Sequence, residues 1–347
     1  MRLHRRGFAL SALALAACGQ KAESQPPLAI APLKRVAPFP VGTCVQAAQL
    51  DEPAFAGLVA AQVSQLTPEW ELKMEYVVQA DGSYRFDAPD RIAAFAADHG
   101  LRLFGHTLVW YAEKPAFFEA LDAAAFRQAF AAYVDAVVGR YRGRAVGWDV
   151  VNEAVTDDGA GWRDSLWSQR LGRLDHMRIA YELAHAADPG AVLFLNDYNL
   201  ETNPAKRATF LRLAEALLKA GAPLGGLGTQ THVPADLAPG AITAALNDLA
   251  GLGLKVRISE MDVSLANAGG FMASRDDLRR RQGALYAEAA SAFAALPRGQ
   301  RFDFTFWGLE DSRSWLRREN ASDAPLLFDD AGRPKPAAEA WEAALRR

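Results

Sequence analysis

A single (β/α)8 barrel is the fold class that the sequence predicts, and three observations point to it. Short apolar runs rich in β-branched residues alternate eight times with longer, Ala-rich runs of helical periodicity. A barrel of this kind can occupy all 347 residues as one catalytic domain. Polar residues gather at the ends of many apolar runs, whereas a doubly wound sheet would gather them at one crevice. The Gly-x-Gly-x-x-Gly motif that often follows the first strand of a doubly wound fold is also absent from the sequence.

The predicted strands and helices follow one another strictly from residue 36 to the end of the chain. The short apolar runs predict strands at residues 39–45, 63–67, 101–110, 145–152, 192–197, 225–232, 255–262 and 302–307. The longer periodic runs predict helices at residues 53–61, 88–99, 123–140, 175–187, 204–220, 241–251, 274–295 and 336–345. Because a barrel of this class carries its catalytic groups where the strands end, function is expected at those positions.

The first 35 residues predict an export signal and a linker instead of part of the barrel. Residues 1–18 combine a basic start, a short apolar run and the sequence Leu15-Ala16-Ala17-Cys18, which resembles a bacterial lipobox. Residues 19–35 are rich in Pro, Ala, Gln and Ser without periodicity, as in a flexible tether. We therefore expect lipidation at Cys18 and an exported protein, periplasmic or anchored to the outer membrane of a bacterium. Ordinary cleavage near Cys18 is the alternative.

The charge balance and the cysteine count limit the kinds of partner that the folded part can bind. Lys and Arg number 38 and Asp and Glu number 41, so the formal charge of −3 provides no broad cationic surface for nucleic acid or anionic lipid. Membrane contact is therefore expected only through the lipid anchor, and the protein is expected to be a monomer. Two cysteines are too few for a disulfide framework, and Cys44 lies in an apolar strand, as a buried thiol would.

Two glutamates each end a largely apolar strand. Glu153 follows Val150-Val151-Asn152, and Glu260 follows Val256-Arg257-Ile258-Ser259. A lone glutamate there is more often a solvated cap or an arginine partner, so the prediction depends on the pair. Glycoside hydrolysis needs one acid to protonate the leaving oxygen and one to attack or to activate water. Tryptophans near both strands offer flat apolar faces to sugar rings, and amides can bind the hydroxyls.

Other chemistries fit the sequence less well. His106, His232, Glu153 and Glu260 could suggest a metal site, but no close ligand spacing such as His-Glu-x-x-His is present, so neither a metal nor another cofactor is expected. Nucleophilic serine catalysis lacks its Gly-x-Ser-x-Gly motif. A redox enzyme lacks a nucleotide fingerprint. A glycosidase acting on another β-linked glycan and a catalytically inactive glycan-binding lipoprotein both remain open.

Six motifs in register resemble glycoside hydrolase family 10, the endo-1,4-β-xylanases. They are GHTLVW at 105–110, WDVVNEA at 148–154, NDYN at 196–199, GTQTH at 228–232, SEMD at 259–262 and PLLF at 325–328. The likeness extends from about residue 40 to residue 345. It implies cofactor-free hydrolysis of internal β-1,4 bonds in xylan or xylo-oligosaccharides with retention of configuration.

The resemblance also implies a role for each matching residue. Glu153 would act first as general acid and then as base, with Glu260 as the nucleophile and the two carboxyl groups about 5–5.5 Å apart. The implied substrate-binding residues are Lys73, His106, Trp110, Asn152, Gln230, His232, Trp307 and Trp315. Asp262 projects to the same side of its strand as Glu260 and could orient His232. Asp149, Asp197 and Tyr198 are expected to be hydrogen-bonding partners behind the site or inside the barrel.

Three positions depart from the family pattern. Trp70, Tyr111 and Glu113 stand where the family usually has Asn, His and Gln. All three are expected on the side of the cleft that binds the non-reducing part of the substrate, the donor side. The added bulk of Trp70 and the added charge of Glu113 therefore predict altered donor-side binding, with a preference for short or decorated xylo-oligosaccharides.

Overall fold

Nine parallel strands are described, and eight of them close into a barrel. The computed structural model describes residues 29–266, 268 and 273–346. Its strands are β1 Val41–Val45, β2 Gln65–Pro68, β3 Arg102–Trp110, β4 Ala145–Asn152, β5 Val192–Asp197, β6 Gly226–Thr229, β7 His232–Pro234, β8 Lys255–Ser264 and β9 Arg301–Phe306. The hydrogen-bonded order is β6-β5-β4-β3-β2-β1-β9-β8, and β6 also pairs with β8, which closes the barrel. The predicted (β/α)8 fold is confirmed.

Helices connect the strands. They are α1 Leu33–Val36, α2 Pro53–Gln62, α3 Met74–Val77, α4 Asp87–Asp98, α5 Ala116–Glu119, α6 Ala123–Arg140, α7 Leu166–Leu171, α8 Asp175–Ala187, α9 Pro204–Lys219, α10 Ala241–Ala250, α11 Arg275–Ala295 and α12 Pro336–Leu345. Local chemistry fixes where several of them begin. The Asp122 carboxylate accepts the backbone N–H groups of Ala124 and Ala125, and Ser274 caps α11. Among the described residues, the helices are all too short or too polar to cross a membrane.

The barrel domain begins earlier than the sequence analysis predicts. The tether was expected to reach residue 35, but Leu33 is fully buried and Lys34 donates through Nζ to the Ala60 carbonyl at 2.5 Å. The Ala31 backbone N–H donates to the Glu342 carboxylate at 3.1 Å, so this segment is attached to α12. The sequence missed this segment because α1 is too short to show a helical period. Its partners, α2 and α12, are distant in the sequence. The predicted lipidation site, Cys18, lies outside the described residues.

The predicted sixth strand, residues 225–232, forms two short strands instead of one. Thr231 has φ 60, a left-handed backbone that interrupts the extended run between β6 and β7. Its hydroxyl donates to Glu201 Oε1 at 2.7 Å, and the Gln230 N–H donates to the Asp197 carbonyl at 3.0 Å. These bonds stabilise the turn, and β7 then pairs with the far end of β8.

A charged cluster occupies the inside of the barrel. The Arg257 guanidinium is fully buried and lies 3.0 Å from Asp149 Oδ2 on one side and 3.0 Å from Asp303 Oδ1 on the other. It also stacks on Phe104, 3.5 Å from the ring centroid. Asp149 in turn contacts His106 Nδ1 at 2.9 Å. This chain of contacts connects the barrel interior with the ends of the strands, where the candidate site lies.

Candidate active site

The two predicted catalytic glutamates lie at one cleft. Glu153 directly follows β4, with φ 59, and its backbone N–H donates to the Asn196 carbonyl at 2.8 Å. Glu260 lies inside β8 and is only 4% exposed. Both line a cavity of about 360 Å³. The same cavity is lined by all eight predicted substrate-binding residues: Lys73, His106, Trp110, Asn152, Gln230, His232, Trp307 and Trp315.

Three side chains hold the Glu153 carboxyl group. Trp110 donates its indole N–H to Oε2 at 2.7 Å, and Gln230 donates to Oε1 at 2.9 Å. Asn152 donates to Oε1 from the adjacent position at 3.2 Å. These donors fix the direction of the carboxyl group, and they also stabilise the carboxylate that remains after a proton has been given away. The arrangement suits a group that must give and later regain a proton.

Glu260 has a cationic environment. Burial alone would raise its pKa, but the hydrogen bond from His232 and the charges of His106, His232 and Lys73 lower that pKa to about 2. Asn196 donates to Glu260 Oε1 at 2.8 Å, and His232 Nε2 lies 3.4 Å from Oε2. At neutral pH the side chain is therefore a carboxylate, the form that a nucleophile requires.

His232 is held by a second acid. Its Nδ1 lies 2.9 Å from Asp262 Oδ2, and the Trp315 indole N–H donates to that same oxygen at 2.9 Å. Burial alone would lower the pKa of His232, but Asp262 and Glu260 raise it. The imidazole therefore carries a positive charge beside the Glu260 carboxylate. Asp262 lies where the strand periodicity placed it.

Asn196 joins the two halves of the site, a role that the sequence analysis did not assign. Its Nδ2 donates to Glu260 Oε1 at 2.8 Å and to Asn152 Oδ1 at 2.9 Å, while its Oδ1 accepts the Ser259 hydroxyl at 2.7 Å. Two amides therefore link the two glutamates. The signal available in the sequence was an amide at the end of an apolar strand. Such a side chain is buried, fully so in this structure, and must find hydrogen-bond partners.

One group of side chains could approach a metal ion. Among the described residues, ligand atoms of His106, Asp149 and Glu260 lie within 4.8 Å of one another. The Arg257 guanidinium donates to both oxygens of Asp149, at 3.1 and 3.0 Å, and so already neutralises that carboxylate. These three residues therefore suit a hydrogen-bonded network better than the binding of a divalent cation.

A second cavity of about 420 Å³ continues the cleft outward from Lys73 and Trp110, which line both cavities. Trp70 stands on its rim with 42% of its surface exposed and packs edge to face on Tyr76, with ring centroids 4.8 Å apart. The expectation that Trp70 faces the cleft therefore agrees with the structure. Three further lining residues were not predicted, namely Gln46, Glu69 and Arg318.

Three expectations need correction. Glu113 does not line either cavity: it is 4% exposed and accepts the first two backbone N–H groups of α3. Tyr111 lies beneath the Arg163 guanidinium, 4.2 Å from the ring centroid, instead of facing the substrate cleft. Tyr198 was expected behind the site but lines the cleft, and the Lys206 ammonium packs 3.4 Å from its ring centroid.

The fold and the paired acids define a class of protein. Two carboxyl groups at the mouth of a barrel, one a buried carboxylate and one held by amide and indole donors beside tryptophan faces, are the apparatus of a glycoside hydrolase. Residues 33–344 match the family described as glycosyl hydrolase family 10. The chain belongs to that family.

Individual relatives agree in sequence and structure. The chain is 36% identical over 336 residues to Endo-1,4-beta-xylanase A of Cellvibrio japonicus, covering 88% of this chain and 55% of that protein. It is 34% identical over 317 residues to Endo-1,4-beta-xylanase of Geobacillus stearothermophilus, covering 86% of this chain and 93% of that one. It thus spans about half the length of the first relative and most of the second.

A solved relative is also similar in three dimensions. It is the intracellular xylanase TsXylA of Thermoanaerobacterium saccharolyticum, solved as a mutant in complex with xylotetraose. The TM-score is 0.82 at 30% sequence identity, and the match covers 90% of this chain and 98% of that chain.

Proposed function

We propose that this protein is an endo-1,4-β-xylanase that acts with retention of configuration. The single observation that carries the proposal is the contrast between the two glutamates in one cleft: Glu260 is a buried carboxylate, and Glu153 is held by donors at the end of β4. Family membership and relatives named endo-1,4-beta-xylanase support xylan as the substrate. The complex of TsXylA with xylotetraose supports xylo-oligosaccharides as well.

The reaction then proceeds as a double displacement. The Glu260 carboxylate attacks the anomeric carbon while Glu153 gives its proton to the leaving glycosidic oxygen, forming a covalent glycosyl-enzyme. In the second step Glu153 takes a proton from water as that water attacks the anomeric carbon, and Glu260 leaves as a carboxylate. Asn196 and His232 hold Glu260 in place throughout. Trp307 and Trp315 line the same cavity and offer flat faces to the sugar rings.

Release of reducing sugar from four polymers tests this activity. Wild type should hydrolyse glucuronoxylan and arabinoxylan much faster than mixed-linkage β-glucan or cellulose. Glu260→Ala and Glu153→Ala should each lose roughly 10³-fold or more of kcat on xylan, because each removes one of the two essential groups. Asp135→Ala, on the exposed face of α6, is the matched control and should retain wild-type turnover.

Two results would contradict the proposal. Faster hydrolysis of β-glucan or cellulose would assign the enzyme to another β-linked glycan. Equal turnover of an aryl xylobioside by wild type and Glu260→Ala would indicate a glycan-binding protein whose barrel has no hydrolytic activity.

We infer further that the protein is exported and anchored through a lipid on Cys18, and that it acts as a monomer. The basic start, the short apolar run and the lipobox-like sequence support the export and the anchor. Helix α1 precedes the amino end of β1, so a tether that enters there would leave the opposite, catalytic face of the barrel uncovered.

Fractionation of the producing bacterium tests the anchor. Wild type should sediment with membranes, and Cys18→Ser should move to the soluble exported fraction. Cys44→Ala removes the buried thiol of β1 and should leave the distribution unchanged. Membrane association of Cys18→Ser equal to that of wild type would overturn the inference.

A further inference from the structure

Glu113 connects two loops at the mouth of the barrel. It follows β3 in the chain, and its two carboxyl oxygens accept the backbone N–H groups of Met74 at 3.0 Å and Glu75 at 3.2 Å. The acceptor and its two donors are far apart in sequence. The bonds therefore hold the loop after β2, at the start of α3, against the loop after β3. The carboxyl group is 4% exposed and therefore has little water to replace these donors.

A second, reciprocal contact joins the same loops. The Glu75 carboxylate accepts the backbone N–H of Lys114 at 2.7 Å. Each loop thus donates backbone N–H groups to a carboxylate of the other loop. The Glu75 contact is exposed to water, whereas the Glu113 contacts are buried at Met74 and partly buried at Glu75, so Glu113 provides the stronger constraint.

The segment held in this way carries Lys73. The residue directly precedes Met74, and its ammonium group lies 4.6 Å from the centroid of the Trp110 ring. Lys73 lines both the inner and the outer cavity, and its charge helps to lower the pKa of Glu260. A shift of the backbone at Met74 would therefore move this cation relative to the donor-side sugars, while the Glu260 carboxylate would keep its hydrogen-bonded partners.

We propose that Glu113 is a positioning residue for donor-side substrate binding, because its carboxylate fixes the backbone from which Lys73 reaches into the cleft. The proposal rests on the proposed function for the identity of the sugar. It differs from the role that the family pattern suggests for this position, because Glu113 is turned away from the substrate and acts through Lys73.

Protonation should weaken this constraint. Burial raises the pKa of Glu113 to about 7, in spite of the N–H groups of Glu75 and Met74 and the charge of Lys73, which lower it, while Glu75 raises it further. The nearby Tyr133 has a pKa raised by its burial and by the Glu113 charge. Below pH 7 one carboxyl oxygen carries a proton and accepts poorly, so one of the two loop contacts weakens. Donor-side affinity should therefore fall as the pH drops through 7.

Steady-state kinetics on two aryl glycosides test the role. For an aryl xylobioside, wild-type KM should rise about fivefold as the pH falls from 8.5 to 5.5, with a midpoint near 7 and no matching step in kcat. An aryl xyloside, which lacks the second donor sugar, should show no such step in KM. Glu113→Gln should abolish the step, and Glu113→Ala should raise KM for the xylobioside at every pH. Glu119→Gln, an exposed acid on α5, is the matched control and should keep the wild-type step.

Hydrogen exchange provides a readout that does not depend on activity. After correction for intrinsic rates, peptides that cover residues 73–77 should exchange faster at pH 6 than at pH 8 in wild type and equally at both in Glu113→Gln. A KM step that survives in Glu113→Gln, or wild-type exchange without pH dependence, would overturn the positioning role. If neither glycoside is hydrolysed, the proposed function fails and the exchange result alone decides the role of Glu113.

Discussion

At the scale of single residues, Trp70 makes the outer cleft of this chain different from the usual family pattern. Its ring is exposed and held edge to face by Tyr76, so one face is free to meet a sugar. Trp70→Asn should raise KM for xylohexaose about fivefold, because the loss of such a contact is worth about 1 kcal/mol. Cleavage should also shift along the oligosaccharide, which chromatography of end-labelled products measures.

A matched control separates this effect from a general loss of exposed apolar surface. Leu218, on α9, is similarly exposed at 39% but does not line the cleft. Leu218→Asn should leave KM and the cleavage pattern unchanged. Xylohexaose kinetics and products that are identical in Trp70→Asn and wild type would show that Trp70 does not contact the substrate.

Glu260 should also affect stability in a pH-dependent way. Its pKa in the folded state is about 2, below the ordinary 4.5, so its ionisation favours the folded protein above pH 4.5, and this contribution is lost as the pH falls towards 2. Glu260→Gln should therefore have a Tm about 3 °C or more below wild type at pH 7, with a difference that shrinks by pH 3. Differential scanning calorimetry measures this, and a difference that grows on acidification would contradict the assigned environment.

Sequence patterns located the acids but not all of their partners. Glu153 and Glu260 could be found because each interrupts an apolar run, although only Glu153 follows the end of its strand and Glu260 lies within β8. The role of Asn196 depends on which way an amide turns across the barrel, and no local pattern reports that. The prediction that Glu113 faces the cleft was wrong for a similar reason. Its side chain turns towards Met74 and Glu75, almost forty residues away in sequence, and no local pattern reports such contacts.

At the scale of elements, the capped start of α6 is set by one side chain. Asp122 accepts two backbone N–H groups that have no partner within the helix. Asp122→Ala should lower the free energy of unfolding by about 1 kcal/mol without changing kcat. Asp135→Ala, in the same helix but away from its ends, should change the stability by less than about 0.5 kcal/mol. Urea unfolding compares the two, and equal effects would argue against the capping role.

The break between β6 and β7 shows what element prediction misses. The run from residue 225 to 232 has the composition of one strand, and a left-handed Thr is rare enough that the sequence does not suggest a turn. The hydrogen bond from the Thr231 hydroxyl to Glu201, a residue distant in sequence, helps to stabilise the turn. The long, periodic helices, by contrast, were predicted to within a few residues, because their apolar faces and caps are encoded locally.

At the scale of the whole molecule, the charged cluster inside the barrel ties β4, β8 and β9 together. Arg257 neutralises Asp149 and Asp303 where water cannot reach. Arg257→Met would leave two buried carboxylates without their arginine partner and should lower the free energy of unfolding by about 3–5 kcal/mol. Arg279→Met, on the exposed face of α11, is the control. A loss below about 1 kcal/mol in Arg257→Met would show that the cluster contributes little to the stability of the barrel.

The stereochemistry of the first product tests the central claim most directly. Retention requires Glu260 to form a covalent intermediate and Glu153 to activate water on the same face of the sugar. Proton NMR of xylotetraose hydrolysis should show the β-anomer of the new reducing end first, with the α-anomer appearing only later through mutarotation. If the α-anomer appears first, the enzyme inverts configuration and Glu260 is not the nucleophile.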